Sequence, residues 1–458
     1  MQFPHVPKEL KYYLNRFSKF KRVGVQLKPS GGVLSALPGN GKIQLAIPSD
    51  GNYDADTFNM HFLLTTMTGT QVYNGGVVTG TAAGCALPPR NIECIIGTLN
   101  LAYAGMQNLD DIHEYGRLYN AVMDHTAGTD ADTKRSIMSW GGNALQEAIT
   151  NNAANLLNRR FSITNWLGFI GSCEPRMLDT SLYSTLRLTL TLASNDILAT
   201  TAVGSPAVAP TNPNYRLDDI YFTMDQVFLL DNELSLGIQS HLLTKGPVNI
   251  PYKTWRMFQG PVSGPTSTTV VDITSKSLNH IVSFFSPVAG YTALTSNNIT
   301  YINDAGTSSY FWRPLVTNTS AIANANYASG INMQINSLQY RIGGQYYPAY
   351  VLPTDVLFTF NLDSLKSNRD LLGGVSLFIE NNVQYLNSFA SFWQRMNYND
   401  DTRWMTGMNT NGNTQNINIE YKGTTLTLPA GVALNHFVFV EQLNSFVVGA
   451  GKNADLDS

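Results

Sequence analysis

Hydrophobic and polar residues alternate with a period of two along much of the chain, a pattern typical of half-buried β-strands. The stretch SLQYRIGGQYYPAYVLP (337–353) contains two such runs with a Gly-Gly pair between them. Because glycines allow the positive φ angles of a two-residue hairpin turn, we predict that Ile342 lies opposite Gln345. Pro348 lacks an amide hydrogen, which predicts a return strand that is short or lies at a sheet edge. One face of this hairpin is predicted to carry Leu338, Tyr340, Ile342 and Tyr347.

Strand-like runs dominate the whole sequence, and clusters of Gly, Pro and Asn separate them. In the first half we predict strands at 23–27, 42–47, 58–65, 91–101, 160–169, 186–192 and 219–229. In the second half we predict strands at 268–273, 281–285, 309–316, 333–342, 356–361, 416–421, 424–428 and 435–440. Many short strands with loops of irregular length are typical of jelly-roll or related sandwich barrels, and not of a parallel sheet alternating with helices.

Three segments have the spacing of apolar residues that is typical of helices. The first covers 108–125, with Asn108 as its N-cap. The second covers 133–157 and is broken by a Gly-Gly pair, and the third covers 382–396. We predict that all three pack on the barrels and that none binds a cofactor.

The clearest internal boundary lies at 232–266. The run RLDDIYFTMDQVFLL predicts a closing strand, and a short helix-like segment follows it. We interpret the Pro- and Gly-rich GPVNIPYKTWRMFQGPVSGP that comes next as a connector. The predicted domains are an N-terminal arm at 1–22, a first β domain with helical insertions at 23–245 and a second β domain at 246–458. The halves show no clear sequence repeat.

Composition narrows the classes of function. The net charge is −3 and the pI is about 6.2, so the chain as a whole makes no electrostatic case for binding nucleic acid. Charged residues make up only 13% of the chain, roughly half of the usual share, and Asn, Thr, Ser, Gly and Tyr take their places. This composition suits polar loops and surfaces that meet other protein, although an ordinary neutral β protein shares it.

Cysteine usage and hydropathy indicate the compartment. Cys85, Cys94 and Cys173 have no CxxC spacing, which argues against a disulfide framework and a zinc site, so we expect free thiols in a reducing compartment. The N-terminus lacks the apolar core of a signal peptide. The most apolar stretches, 92–106 and 437–451, are interrupted by polar residues and are too short to span a bilayer. We expect a soluble protein that is made inside the cell.

No catalytic constellation emerges from the residues. The seven histidines form no ligand spacing, and His113 and His125 lie three turns apart on one predicted helix. GNGKI (39–43) and GAGKN (449–453) lack the first glycine and the Ser/Thr of a phosphate loop, and GPVSGP (260–265) has the wrong spacing for a nucleophile elbow. We predict no enzyme activity, no cofactor and no metal. The catalytic acids of glycosidases have no fixed spacing in sequence, so a glycosidase is disfavoured but not excluded.

Several of these stretches together resemble the double jelly-roll major capsid proteins of icosahedral DNA viruses. They are the closing strand followed by IPYKTW, the hairpin LQYRIGGQYYPAYVLP and the strand ALNHFVFVEQL. The group includes polinton-like viruses, virophages, large eukaryotic DNA viruses and tectivirus-like phages. The resemblance covers the layout of both halves, with its motifs at 219–260 and 337–353. It implies an all-β fold with helical insertions, in which two tandem jelly rolls follow a short basic amphipathic N-terminal helix.

The resemblance also implies a structural role in the virion. Two fused wedges that are repeated by a threefold axis place six wedges around a ring, so a homotrimer tiles a hexagonal lattice. The implied partners are the chain itself, as homotrimer and neighbouring capsomers, and minor capsid or penton proteins. A lipid membrane beneath the shell is a further candidate partner, and no sequence-specific nucleic acid is expected. The implied location is the capsid shell, assembled inside the host cell.

The segment KELKYYLNRFSKFKR (8–22) is the one place where charge is segregated, and its apolar residues have helical spacing. The residues predicted to contact the inner shell or a membrane are Lys8, Lys11, Arg16, Phe17, Lys19, Lys21 and Arg22. Three partners stay open for this arm. It packs under a neighbouring capsomer or minor protein, lies on an internal membrane leaflet, or contacts the genome, which needs a broader basic surface.

Two other classes of protein stay open beside the capsid hypothesis. One is a carbohydrate-binding or carbohydrate-active β-sandwich protein, with Trp312 or Trp404 as a sugar platform. The lack of a signal peptide and of disulfides argues against a secreted lectin. The other is a phage tail or baseplate β protein, for which we expect an elongated chain without the central connector.

Overall fold

A computed structural model of the chain describes residues 20–32, 35–38, 41–74, 77–89, 91–103, 107–126, 158–201, 211–229, 233–288, 308–317, 331–365, 382–399, 401–402, 404–411, 416–428, 432–449 and 454–457. The strands of its first half are β1 (Phe20–Leu27), β2 (Ser35–Ala36), β3 (Lys42–Ile47), β4 (Asn52–Met67), β5 (Val72–Asn74), β6 (Val77–Thr79), β7 (Cys85–Leu87), β8 (Ile96–Tyr103), β9 (Gln107–His113), β10 (Asn158–Ile163), β11 (Met177–Asp179), β12 (Leu186–Leu192), β13 (Ala199–Thr201) and β14 (Asn214–Leu229).

The second half is also built from strands, and helices are few in the described chain. Its strands are β15 (Val248–Pro261), β16 (Ser267–Val271), β17 (Leu278–Pro287), β18 (Asn332–Ile342), β19 (Gln345–Pro353), β20 (Phe392–Arg395), β21 (Ile417–Thr427), β22 (Leu434–Val448) and β23 (Ala454–Asp457). The helices are α1 (Tyr115–Thr126), α2 (Phe169–Ser172), α3 (Glu233–Thr244), α4 (Leu357–Ser364) and α5 (Asn382–Ser388). Single 3-10 turns lie at Ser30–Gly32, Ile92–Ile95, Thr180–Leu182, Asn195–Ile197, Ser309–Phe311 and Thr354–Val356.

Two antiparallel sheets form the first barrel. Sheet A follows the order β1-β14-β4-β10, with β2 beside β14 and β11 beside β4, and sheet B follows the order β3-β12-β8-β9. If these eight strands are counted along the chain, the orders are 1-8-3-6 and 2-7-4-5. These two orders define a jelly roll.

The second barrel repeats the same topology. Sheet C follows the order β15-β22-β17-β20, with β23 beside β22, and sheet D follows the order β16-β21-β18-β19. Counted along the chain, these strands again have the orders 1-8-3-6 and 2-7-4-5. The chain is therefore a double jelly roll with helical insertions, as the sequence predicted.

Period-two alternation produces the core of each barrel. In β3 and β12 every second side chain is buried, and these side chains meet those of sheet A in one hydrophobic cluster. The predicted hairpin is confirmed, with Ile342 opposite Gln345 across a turn in which Gly343 and Gly344 have φ of 56° and 85°. Its return strand β19 lies at the edge of sheet D, as Pro348 predicted.

Sheet C differs from the other sheets because both of its faces are buried. Every residue of β17 is buried, and so are nearly all residues of β22. Val438 and Val440 belong to the core of the second barrel, whereas Phe437 and Phe439 belong to the cluster that contains the first barrel's core. A strand that is covered on both sides favours a continuous hydrophobic run, as in Phe437–Val440 of β22.

Several predicted elements are wrong, wholly or in part. The segment 356–361, predicted as a strand, forms helix α4, and 309–316 forms a 3-10 turn followed by two single β-bridges. Residues 108–113 form strand β9 and not the start of a helix, because pairing with β8 outweighs the local helix signal, and α1 begins at Tyr115. The helix predicted at 382–396 ends at Ser388, and β20 then pairs with β17. The stretch interpreted as a connector contains the long strand β15, which tolerates prolines because it lies at the edge of sheet C.

The predicted N-terminal helix is not confirmed. Residues 20–22, predicted as its end, begin strand β1, where Lys21 pairs with Phe228 and Arg22 with Val227 of β14. The rest of the arm, with Lys8, Lys11, Arg16, Phe17 and Lys19, lies outside the described residues, as does the helix predicted at 133–157.

Candidate functional site

The outer face of sheet C meets the first barrel along a surface that we call the seam. Its residues on sheet C include Val282, Phe284, Phe437 and Phe439. Helix α1 lies in the seam and is buried on nearly all sides, with Val122 and Thr126 as its two residues that are not fully buried. It packs on β8 and on the turn Ile92–Ile95 of the first barrel, and several of its polar side chains reach the second barrel. A helix that is covered all round holds both barrels in one packed unit.

Arg117 of α1 connects the helix to strand β17. Its guanidinium donates to Ser286 Oγ (2.5 Å) and to the Tyr310 carbonyl oxygen (2.7 Å), and it pairs with Glu114 (3.0 Å). It also lies 3.6 Å from the centre of the Tyr310 ring and 4.6 Å from that of Phe437. A buried guanidinium is tolerated when it is paired and hydrogen-bonded, so these contacts fix the distance between α1 and sheet C.

A second buried cation crosses the seam in the opposite direction. Arg313 of the second barrel pairs through Nη2 with Asp124 Oδ2 of α1 at 2.5 Å, and the two side chains are 2% and 0% exposed. The same nitrogen donates to the Phe389 carbonyl oxygen at 3.2 Å. Loss of one charge from such a pair strands the other in a low dielectric, so the pair specifies how the barrels meet.

His125 extends the polar contacts of α1 to helix α5. The carbonyl oxygen of Ala121 can only accept, so His125 Nδ1 carries the proton and donates to it at 2.8 Å. His125 Nε2 then accepts from Ser391 Oγ (3.2 Å) and lies 3.1 Å from the Tyr385 hydroxyl, which donates to the Ser391 carbonyl oxygen. Burial lowers the pKa of His125 to about 4, so the imidazole is neutral at pH 7. Asn361 Nδ2 donates to the same Tyr385 hydroxyl at 2.6 Å.

The other end of the seam is closed by residues 164–176, which we call the first connector, between β10 and β11. Its Phe169 ring lies 5.0 Å from the ring of Tyr252 on β15, and its Phe169 amide donates to Asp110 Oδ2 at 2.5 Å. Burial raises the pKa of Asp110 to about 7, although hydrogen bonds from Thr254 and the Phe169 amide oppose the shift. Both barrels therefore contribute to this contact.

The structure places Lys21 and Arg22, the two described residues of the predicted arm site, at an exposed edge. Arg22 pairs with Asp54 (2.8 Å) and Asp225 (2.5 Å) on the outer face of sheet A. Its charge is therefore largely neutralised within the chain. Lys21 is exposed on the same strand. Sheet A thus presents a polar outer face at the position where sheet C presents the seam.

Several sequence-predicted candidates for chemistry are separated by the fold. His113 ends strand β9 and is not on the helix of His125. Trp312 is buried, whereas Trp404 is 66% exposed, which leaves one of the two predicted sugar platforms on the surface. Among the described residues, no group of three or more His, Cys, Asp or Glu is placed to hold a metal ion. In the same part of the chain no helix is long and apolar enough to cross a membrane.

The seam residues were missed by reasoning from sequence. Arg117 and Asp124 lie seven positions apart, two helical turns, on a segment whose apolar stripe includes Leu118, Tyr119 and Val122. Arg313 interrupts the aromatic run SYFWRPLV in a chain with few charges. A charge that is embedded in an apolar run is the signal that could have marked both ends of this network.

No protein-family model matches the chain, and no curated protein matches it at a significant level. Solved structures do match. The Faustovirus major capsid protein is 10% identical with a TM-score of 0.63, and the match covers 97% of this chain and 93% of that one. VP54 of PBCV-1, fitted into a reconstruction of the virophage Sputnik, is 14% identical with a TM-score of 0.59, over 98% and 99%. A chain of the Sputnik virophage is 11% identical with a TM-score of 0.53, over 99% and 92%.

These matches extend over both barrels, and they show that the chain shares the double jelly-roll fold of viral major capsid proteins. The resemblance that the sequence motifs indicated is confirmed for the fold. At 10–14% identity the matches carry no information about individual residues.

Proposed function

We propose that this chain is a major capsid protein that assembles as homotrimers into the icosahedral shell of a DNA virus. The observation that carries the proposal is the repeated strand order, 1-8-3-6 and 2-7-4-5 in each of two barrels that are joined by a buried seam. Three copies of such a unit supply six similar barrels around a threefold axis, and the resulting pseudo-hexagonal block tiles a lattice.

The seam supports this role because a shell needs building blocks of fixed shape. Arg117, Asp124 and His125 on one helix all contact the second barrel through buried hydrogen bonds. Such fully buried polar contacts define one arrangement of the two barrels and penalise others. The role needs no turnover, so we propose that the chain is not an enzyme.

Electron microscopy and light scattering of the purified protein test the proposal. We expect particles with three times the mass of the chain and a pseudo-hexagonal outline. A monomer whose mass or mobility shifts when glycans are added would favour the carbohydrate-binding alternative instead, for which the exposed Trp404 is the remaining platform.

We further propose that residues 1–19, together with Lys21 at the start of β1, contact an inner partner of the shell. A neighbouring capsomer or a minor capsid protein is the first candidate, and a lipid membrane beneath the shell is the second. Because β1 begins at Phe20, the test is flotation on anionic liposomes of the full chain and of a variant that lacks residues 1–19. Equal flotation of the two proteins would remove the membrane from the candidate partners.

A further inference from the structure

Within the chain, the first barrel covers the beginning of edge strand β15. Besides the contact of Phe169 with Tyr252, the Lys253 amide donates to Ser172 Oγ at 2.8 Å and the Glu174 amide donates to the Pro251 carbonyl oxygen at 3.0 Å. Free backbone groups of a sheet edge are thus satisfied by the first connector. Strand β9, at the edge of sheet B, lies beside the same strand, since the Tyr252 hydroxyl donates to the Leu109 carbonyl oxygen at 3.0 Å.

The second barrel has the same parts, but they are uncovered. Residues 396–399, 401–402 and 404–411, which we call the second connector, follow β20 as the first connector follows β10. The chain then pairs with the start of the third strand of each barrel. After the first connector, β11 pairs with β4 at Asp54. In the second connector, Met408 forms a β-bridge with Leu278 of β17. In the second connector Tyr398 is 90%, Trp404 66% and Met405 45% exposed, whereas Phe169 of the first connector is buried.

The second connector is held in shape by its own hydrogen bonds. The Tyr398 amide donates to the Thr406 carbonyl oxygen at 3.3 Å, and Thr406 Oγ1 donates to the Asn399 carbonyl oxygen at 2.8 Å. The Thr402 hydroxyl donates to the carboxylate of Glu174 in the first connector. The exposed aromatic side chains are therefore mounted on a fixed loop, and this preorganisation favours their use in binding.

The complementary edge is also uncovered. Strands β1 and β15 have equivalent positions. Each is the first strand of its barrel and lies at the edge of the sheet with the order 1-8-3-6. In the described chain β1 has a strand on one side only, and Phe20 is 55% exposed, whereas Ile250 and Tyr252 at the start of β15 are 5% and 0% exposed. Edge strand β19, the counterpart of β9, exposes Tyr350 and Val351 by 58% and 57%.

We infer that β19 and the second connector of one copy cover the β1 edge of the first barrel of another copy, in the way that β9 and the first connector cover β15 within the chain. This inference rests on the proposed function, and it names the two surfaces that would join the subunits. Because the surfaces differ, the contact is heterologous, and its repetition about the threefold axis of the proposed trimer gives a closed ring. Trp404 is the expected anchor, since large aromatic side chains dominate interface energies.

The variant Trp404→Asp tests the inference by mass photometry over a dilution series. We expect the trimer of the variant to dissociate at a concentration at least about tenfold higher than the concentration at which the wild-type trimer dissociates. Val77→Asp is the matched control, because Val77 is exposed to a similar degree, at 61%, but lies on the β5–β6 hairpin outside both surfaces. An unchanged melting temperature of the diluted monomer shows that the variant folds.

Each outcome separates the two proposals. A Trp404→Asp variant that stays trimeric like the control overturns the inference and leaves the proposed function standing. A wild-type chain that is monomeric at every concentration overturns the proposed function, and the inference with it.

A second measurement avoids any dependence on the folding of the charged variant. With the photoreactive amino acid benzoylphenylalanine in place of Trp404, we expect cross-links to residues 20–27. Mixing isotopically heavy and light chains before assembly shows whether a cross-link joins two copies. Cross-links that stay within one copy, or that join other strands, contradict the inference.

Discussion

The outer faces of sheets A and C have opposite chemistry, although the two sheets share the strand order 1-8-3-6. On sheet A, Arg22 pairs with Asp54 and Asp225 in contact with solvent. On sheet C, Phe284 and Phe439 stack at 5.7 Å beneath the first barrel. The strand order therefore does not determine which face is buried. The residues at alternate positions determine it, and they make one sheet a surface and the other the centre of the molecule.

The largest expected effect concerns the ion pair in the seam. Arg313→Met removes a buried positive charge that pairs with Asp124, and it is expected to lower the free energy of unfolding by about 3–5 kcal/mol. The control is Arg160→Met on sheet A, since Arg160 and Asp219 have side chains that are 60% and 53% exposed. That control is expected to lose less than about 1 kcal/mol. Equal losses in urea-induced unfolding would contradict the assignment of these two faces.

A matched pair of truncations isolates the apolar part of the comparison. Val282→Ala deletes two buried methyl groups on the seam side of β17 and is expected to cost about 2 kcal/mol, including the cavity left behind. Val227→Ala makes the same change on the outer side of β14, opposite Arg22, with an expected cost of about 0.5 kcal/mol or less. A larger loss for Val227 in the same unfolding assay would reverse our assignment of the covered face.

A third expected effect depends on pH. Burial lowers the pKa of His436, in the core of the second barrel, to about 3. The unfolded chain binds a proton on this imidazole below about pH 6.5, whereas the folded chain does not, so stability falls as the pH drops from 6.5 towards 3. We expect the variant His436→Gln to lose fewer degrees of melting temperature between pH 7 and pH 5 than the wild type.

The buried carboxyl group of Asp110, at one end of the seam, has the opposite effect on how stability depends on pH. With its pKa raised to about 7, Asp110 keeps a proton in the folded chain that the unfolded chain loses above about pH 4. Its contribution to stability is therefore lost as the pH rises from 4 to 7. Asp110→Asn should steepen the drop in melting temperature on acidification, and a flatter profile would contradict the raised pKa.

The smallest expected effect belongs to Arg22. Arg22→Gln removes two ion pairs from a side chain that is 46% exposed, and the expected loss is below about 1 kcal/mol and decreases further in high salt. Chemical unfolding at low and high ionic strength measures it. A loss as large as that of Arg313→Met would mean that the outer face of sheet A is less open to water than its exposure indicates.

Local patterns predicted the strands better than they predicted the surroundings of those strands. Alternation and a Gly-Gly pair were sufficient for the hairpin, because its register depends on neighbours within a few residues. Strand β9 was mistaken for the start of a helix. Its extended conformation depends on pairing with β8, for example of Ile112 with Leu99, and not on local preference. The prolines of β15 were interpreted as part of a connector, although prolines are also compatible with a strand at a sheet edge, which is where β15 lies.

The candidate site was harder to predict than the fold. Arg117 contacts Ser286 and Arg313 contacts Asp124, pairs that are 169 and 189 positions apart in the sequence. Nothing in one sequence links residues over such distances. The apolar run Phe437–Val440 of β22 does indicate the seam, because a strand segment that is apolar on both faces must be covered on both faces.

The placement of β14 and β22 has a consequence for how the chain is produced. In each barrel the eighth strand of the jelly roll, β14 or β22, is inserted between strands that were made long before it. Sheet C lacks its central member until residues 434–448 are translated, so α1 and the apolar side of β17 stay open from their own synthesis until that point. Such long-range closure is slow and prone to aggregation. We therefore expect yield in a heterologous host to depend on chaperone supply and translation speed.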